Sequence, residues 1–162
     1  MSTKYSDKSE PHYLRAVEYE EAGRIADAIR EYRMANRIKK DLIPARKRFG
    51  DLLLRLGRVD EAIQQYVKGT EITSQKRKWK RILVPDDEKY SLLQVLDALS
   101  HAYQVAGDSE HVRETQERIL SIEPANDIEI EIVERAKNAR DQELTQETDE
   151  MAEASETGQK RG

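Results

Sequence analysis

The chain has no cysteine, one tryptophan, one phenylalanine and four prolines. Without thiols there is neither a disulfide framework nor a thiolate metal site, and a reducing compartment is the simpler expectation. Its seven glycines form no glycine-rich phosphate loop and no Gly-x-Ser-x-Gly nucleophile elbow. The three histidines, His12, His101 and His111, are scattered, with no His-x-x-x-His spacing to hold a metal on one helical face. No apolar run reaches the length of a membrane span, and Met1 to Glu10 lacks the apolar stretch of a signal peptide. These absences point away from an enzyme, a metal, a cofactor or a membrane partner, and toward a cytoplasmic location. Function must be argued from a site, and no catalytic one is visible.

What is present is polar. The 162 residues are 37% apolar and 37% charged, with a mean hydropathy of -0.87. That balance suits an elongated helical array, with much surface per residue, better than a compact globule. The net charge of -4 conceals a strong segregation. Residues 37–81 carry 14 Lys/Arg against 5 Asp/Glu, whereas residues 108–162 carry 7 against 16. Such asymmetry bears on partners and on electrostatic steering, not on fold.

The strongest positive signal is an internal echo. Ala22-Gly23-Arg24-Ile25-Ala26-Asp27-Ala28-Ile29 is answered 34 residues later by Leu56-Gly57-Arg58-Val59-Asp60-Glu61-Ala62-Ile63. Tyr32 and Tyr66 each follow the second helical alanine by four residues. A fixed period of this length marks stacked supersecondary units. In each unit a helix ends at glycine and a second helix follows. Small residues (Ala16, Ala28, Ala35; Gly50, Ala62, Gly69) let helices approach, while Tyr19, Tyr32, Leu53 and Tyr66 fill the gaps.

Pro11 and Pro44 are placed to open helices, and a second helix is expected over about 25–38. A weaker third unit has Leu96, Leu99 and Tyr103 before Gly107, and closes at Ile119, Ile122 and Pro124. Gly107 lies 50 residues beyond Gly57, so about 16 residues are inserted; the reading places a lengthened hairpin near 73–92. Asp86 or Asp87 is the expected cap of the helix leading into Leu92. A disordered basic loop is the alternative. Beyond Pro124, Asn126 or Asp127 is expected to cap a final helix that runs to roughly Thr145. The alternation Ile128-Glu129-Ile130-Glu131-Ile132 is strand-like, but a lone strand would have no sheet to join. The expected organisation is therefore a disordered N-terminus over 1–10, a helical-repeat domain over 11–145 and a disordered acidic tail over 146–162.

These residues resemble the tetratricopeptide repeat family of helix–turn–helix units. The resemblance covers roughly residues 9–124, with His12, Arg15 and Arg46 standing where the family often has large apolar residues. It implies an all-α, right-handed solenoid of antiparallel helix pairs: three units plus a capping helix. It also implies a binding scaffold, in which the first helix of each unit faces a concave groove that receives a peptide or a partner helix. Carried over by alignment, that groove would present Tyr13, Leu14, Val17, Glu20 and Glu21 from the first unit. Lys47, Arg48, Asp51, Leu54 and Arg55 would follow from the second, and Asp97, Ala98, His101, Gln104 and Val105 from the third. The family's carboxylate clamp of Lys, Asn and Arg finds Tyr13, Val17, Arg48, Gln94 and Ala98 at the corresponding places, so a receptor for chaperone tails is rejected.

The segment Lys76-Arg77-Lys78-Trp79-Lys80-Arg81 is the other candidate surface. Its cations could meet an acidic protein segment, or contact phosphates while Trp79 stacks on a base. The plainer alternative is a solvated helix extension with Trp79 packed on its neighbour. The favoured function is thus a non-enzymatic scaffold or adaptor for a protein partner, with a partner that carries an acidic segment as the candidate these cations suit. The alternatives are a nucleic-acid-associated repeat protein using the basic 37–81 region, and a homo-oligomer joined through the divergent third unit.

Overall fold

The computed structural model describes residues 9–78 and 90–159, and these form seven helices with no strand. In order they are α1 (Ser9–Glu21), α2 (Ile25–Ile38), α3 (Ile43–Arg55), α4 (Val59–Lys78), α5 (Leu92–Ala106), α6 (Ser109–Leu120) and α7 (Asp127–Gln159). Helices α1 and α2, α3 and α4, and α5 and α6 pack as successive pairs, and α7 closes the array against α5 and α6.

One turn chemistry makes all three pairs. Gly23, Gly57 and Gly107 each sit at φ of +72° or +73°, where a Cβ would be strained. The glycine N–H bonds back three residues to Glu20, Leu54 or Gln104. The next N–H bonds back five, to Tyr19, Leu53 or Tyr103, at 2.8–3.0 Å. Two orphan carbonyls of each first helix are thereby satisfied, and the chain reverses into the second. The echo read from the sequence is therefore a repeated helix stop.

The core follows the small/large alternation. Ala16, Ala28, Ala35, Ala45, Ala62 and Ala102 are fully buried, as is Tyr32, and Tyr66 is only 1% exposed. The Tyr32 ring stacks on Phe49, with centroids 5.7 Å apart, and Tyr66 lies against the bare α-carbon of Gly50. Helix α5 joins two halves of the interior. Val95, Leu99 and Ala102 complete the core of the first two units, while Leu92, Leu93 and Leu96 pack with Ile119, Ile132, Val133 and Ala136.

Three boundaries differ from expectation. First, α1 begins at Ser9, ahead of Pro11, so residues 9 and 10 are helical although they were expected to be disordered; residues 1–8 lie outside the described part. Second, α5 is capped by Ser91, whose hydroxyl accepts from the Gln94 N–H while the Gln94 side chain accepts from the Ser91 N–H. A reciprocal box closes two orphan donors at once, and Asp86 and Asp87 lie outside the described residues. Third, α7 does not stop near Thr145 but continues to Gln159. Its last stretch is rich in Glu, with Gln and Ala, which favour helix without any packing. Hydroxyls able to compete with the helix are folded into it, as with Thr145 onto the Asp141 carbonyl and Ser155 onto that of Ala152, both at 2.8 Å. At its other end Asn126 accepts from the Glu129 N–H at 3.0 Å, while the Glu129 carboxylate accepts from the Ala125 N–H at 2.7 Å. The strand-like Ile128–Ile132 segment is thus helical, with Ile132 inward and Ile128 and Ile130 exposed. On the inserted stretch, α4 does lengthen through Lys78.

Candidate functional site

Helices α1, α3 and α5, the first of each pair, carry the residues assigned to the groove. In the first two units most of these side chains are committed to one another. Tyr13 is buried and hydrogen-bonds Arg48. Glu20 accepts from the Tyr32 hydroxyl at 2.6 Å and pairs with Arg55 from α3. One turn away, Asp51 accepts from the Tyr66 hydroxyl at 2.6 Å and pairs with Lys47 at 2.8 Å. The Lys47 ammonium also lies 5.2 Å from the Tyr90 ring centre. Burial and the adjacent carboxylates drive both phenols, Tyr32 and Tyr66, to higher pKa, so each stays a donor at any ordinary pH. For Arg48, burial alone would lower the pKa; the Tyr32 and Tyr13 phenols and the Glu20 carboxylate outweigh it and raise it. The expected basic middle of the groove is therefore largely neutralised from within. Val17 is half-buried beside this network, and Leu14 is half-exposed at its edge.

The third unit is different. His101 and Gln104 are exposed on α5, and they line a cavity of about 420 Å³ together with Asp97 and Ala98. Its far wall is α7, which supplies Ile132, Arg135, Ala136 and Ala139. Arg135 reaches across to Asp97 at 3.0 Å, bridging the mouth with an ion pair. The cavity thus offers an imidazole, an amide, a carboxylate and a guanidinium over a floor of alanine and isoleucine. A few convergent polar groups over an apolar floor are the ordinary make-up of a recognition pocket.

Residues 48–76, from the middle of α3 into α4, match the family model for the tetratricopeptide repeat. The fold is that of a tetratricopeptide-repeat domain. Among solved structures, the chain is similar to the N-terminal domain of stress-induced protein-1 (STI-1) from C. elegans, at 15% identity and a TM-score of 0.63. That likeness covers 85% of this chain and 98% of the other. No curated protein matches.

Within this repeat domain the predicted residues fall into three sets. Asp97, Ala98, His101 and Gln104 come together at the cavity. Tyr13, Val17, Lys47, Arg48, Asp51 and Arg55 gather in the paired network on α1 and α3 and do not line that cavity. Lys76 and Arg77 lie in the last turn of α4; their side chains, and Trp79, Lys80 and Arg81 altogether, fall outside the described part. Gln94, at a position of the family's clamp, is engaged in the α5 capping box. Sequence reasoning missed Arg135 and Ala139. Nothing local marks them, because their role depends on α7 returning to α5.

Arg46 and His12, two of the odd residues, have structural partners. Arg46 is buried; its Nε donates to the Lys40 carbonyl at 2.7 Å and its Nη1 to the Gln65 side chain at 3.3 Å. Burial lowers its pKa, but a guanidinium keeps its proton. His12 joins α1 to α2 through Glu31 at 2.6 Å, with Arg15 at 3.3 Å from the same oxygen. Among the described residues no group of His and carboxylates could hold a metal ion, and no helix is long and apolar enough to cross a membrane.

Proposed function

We propose that the chain is a non-enzymatic protein-interaction scaffold that holds an extended segment of a partner protein in the groove lined by α1, α3 and α5. The observation that carries this reading is the cavity between α5 and α7, where predicted groove residues meet an unpredicted wall. The bound segment would place a small apolar side chain on Ala98 and Ala136, with its backbone or polar side chains against His101, Gln104 and Arg135. Because Arg55 and Lys47 are already paired with Glu20 and Asp51, and Arg48 bonds the Tyr13 phenol beside Glu20, the ligand need not be strongly acidic. The scaffold is preorganised by its ion pairs and buried phenols, so the ordering cost of binding falls mainly on the ligand.

The test is affinity capture with the unaltered chain and with a His101→Ala/Gln104→Ala variant, each identified by mass spectrometry after nuclease treatment. Titration of the captured segment then gives its affinity. A loss of about tenfold or more, with helicity and melting unchanged, is expected if these groups are central contacts. Equal affinity for both chains would move the binding site off the α5–α7 cavity.

A further inference from the structure

On the opposite side of the array, the second helices of the first two pairs enclose another cavity, of about 590 Å³. Arg33 and Arg37 from α2, and Lys40 from the turn that follows it, face Lys68 from α4 across it, with Arg46 entering from α3. Glu71 is the one carboxylate among the described residues that line it, and Phe49 and Ile72 supply apolar surface. Arg33 is spent on Glu61 at 3.5 Å. Arg37, Lys40 and Lys68 have no ion-pair partner among the described residues. The Asn36 side chain also belongs to this cavity, and both its Nδ2 and its Oδ1 are shielded with no hydrogen-bond partner. A shielded amide with neither bond made is destabilising, and it asks for a ligand that supplies both a donor and an acceptor.

The chain contains an unpartnered element of matching chemistry. From Asp141 to Gln159 helix α7 carries seven carboxylates and no lysine or arginine, and it is solvent-exposed throughout 141–158. Glu143, Gln146, Glu147 and Glu150 fall at helical spacing on one face, bordered by Leu144 and Met151, which are 51% and 74% exposed. That face offers carboxylates for Arg37, Lys40 and Lys68, an amide with both donor and acceptor for Asn36, and apolar groups for Phe49 and Ile72.

We infer that the acidic end of α7 from one copy docks into this basic outer cavity of a second copy, making the repeat domain self-associate through a face distinct from its groove. Because the charges lie at the surface, the contact is screened as the Debye length shortens with salt.

Sedimentation of the full chain at low and high salt tests this. Concentration-dependent association at low salt, reversed at high salt, is expected. Arg37→Glu/Lys40→Glu in the cavity and Glu147→Lys/Glu150→Lys on α7 should each weaken it by about tenfold or more, as loss of complementary charge does at other interfaces. Mixing the two reversed chains should restore association, because the unaltered helix of one then meets the unaltered cavity of the other and the two reversed faces also match in charge. All four positions are exposed or half-exposed, and circular dichroism of each variant confirms that it folds. A chain that stays monomeric at low salt, or one whose association ignores both reversals, overturns the inference. So does a short single-stranded RNA that binds the cavity of a chain that remains monomeric.

Discussion

Replacing Gly50 by alanine is the sharpest test of how the repeats pack. A Cβ there would stand 2.6 Å from Cε1 and 2.8 Å from Cζ of Tyr66, both closer than real Cβ contacts allow. Tyr66 cannot swing away freely. Its ring is almost fully buried, and its hydroxyl is held by Asp51 at 2.6 Å. In an open helix the change would stabilise, since alanine is favoured over glycine by about 1 kcal/mol. Against this, overpacking costs about 1–3 kcal/mol, and displacing the ring from a charged acceptor forfeits about 1.5–3 kcal/mol. The balance is a loss of about 1.5–5 kcal/mol, or a fall in Tm of at least several degrees for a chain of this size. Urea denaturation followed by helicity measures it directly. Adding Tyr66→Leu to Gly50→Ala should recover part of the loss, because it removes the atoms that the methyl meets. A single variant as stable as the parent would mean that α3 and α4 are not held this close, and the small/large argument would fail with it.

Tyr32→Phe should cost more stability than Tyr66→Phe, by denaturant midpoint, because the Glu20 carboxylate left behind is 15% exposed whereas that of Asp51 is 40% exposed and can turn to water. Ser91→Ala should cost about 0.5–2 kcal/mol by opening the capping box of α5, with the loss read as a lower Tm. Glu31 adds a pH dependence. Burial would raise its pKa, but hydrogen bonds from His12 and Arg15 overcome this and hold it below the ordinary carboxylate value. Its contribution is therefore complete above the unfolded pKa and is lost as pH falls through the lower, folded value. Unfolding midpoints along an acid series should fall more shallowly in His12→Ala, and an identical acid limb in both chains would refute the assignment. The exposed pair Asp108–His111, 2.7 Å apart, behaves in two senses. The His111 N–H groups hold the Asp108 pKa down, and Asp108 raises that of His111. Its contribution is lost at low pH as Asp108 protonates and at higher pH as His111 deprotonates through its raised pKa.

What could be read from the sequence was whatever is written locally. A left-handed glycine after each first helix is a constraint on one residue and its hydrogen bonds, so Gly23, Gly57 and Gly107 announced the three hairpins directly. Gly50 facing Tyr66 was legible for the same reason, since small and large residues recur at one helical spacing. The acidic end of α7 was misread because its helix comes from backbone propensity and hydroxyl back-bonding, with no buried face to leave a periodic trace. The α5 cap was misplaced because an aspartate is as good a signal as Ser91 until the reciprocal Gln94 contact is known. The candidate site was legible only by half. His101 and Gln104 follow from the register of one helix, but Arg135 belongs to the site only because α7 folds back onto α5 and its guanidinium meets Asp97, 38 residues earlier. The consequence is functional as well as structural. On the proposed reading, a groove whose first two units are internally paired and whose third is walled by a terminal helix concentrates free recognition groups at one end. Substitutions at His101, Gln104 and Arg135 should therefore alter binding with little effect on stability, and substitutions at Arg48, Glu20 or Asp51 should do the reverse.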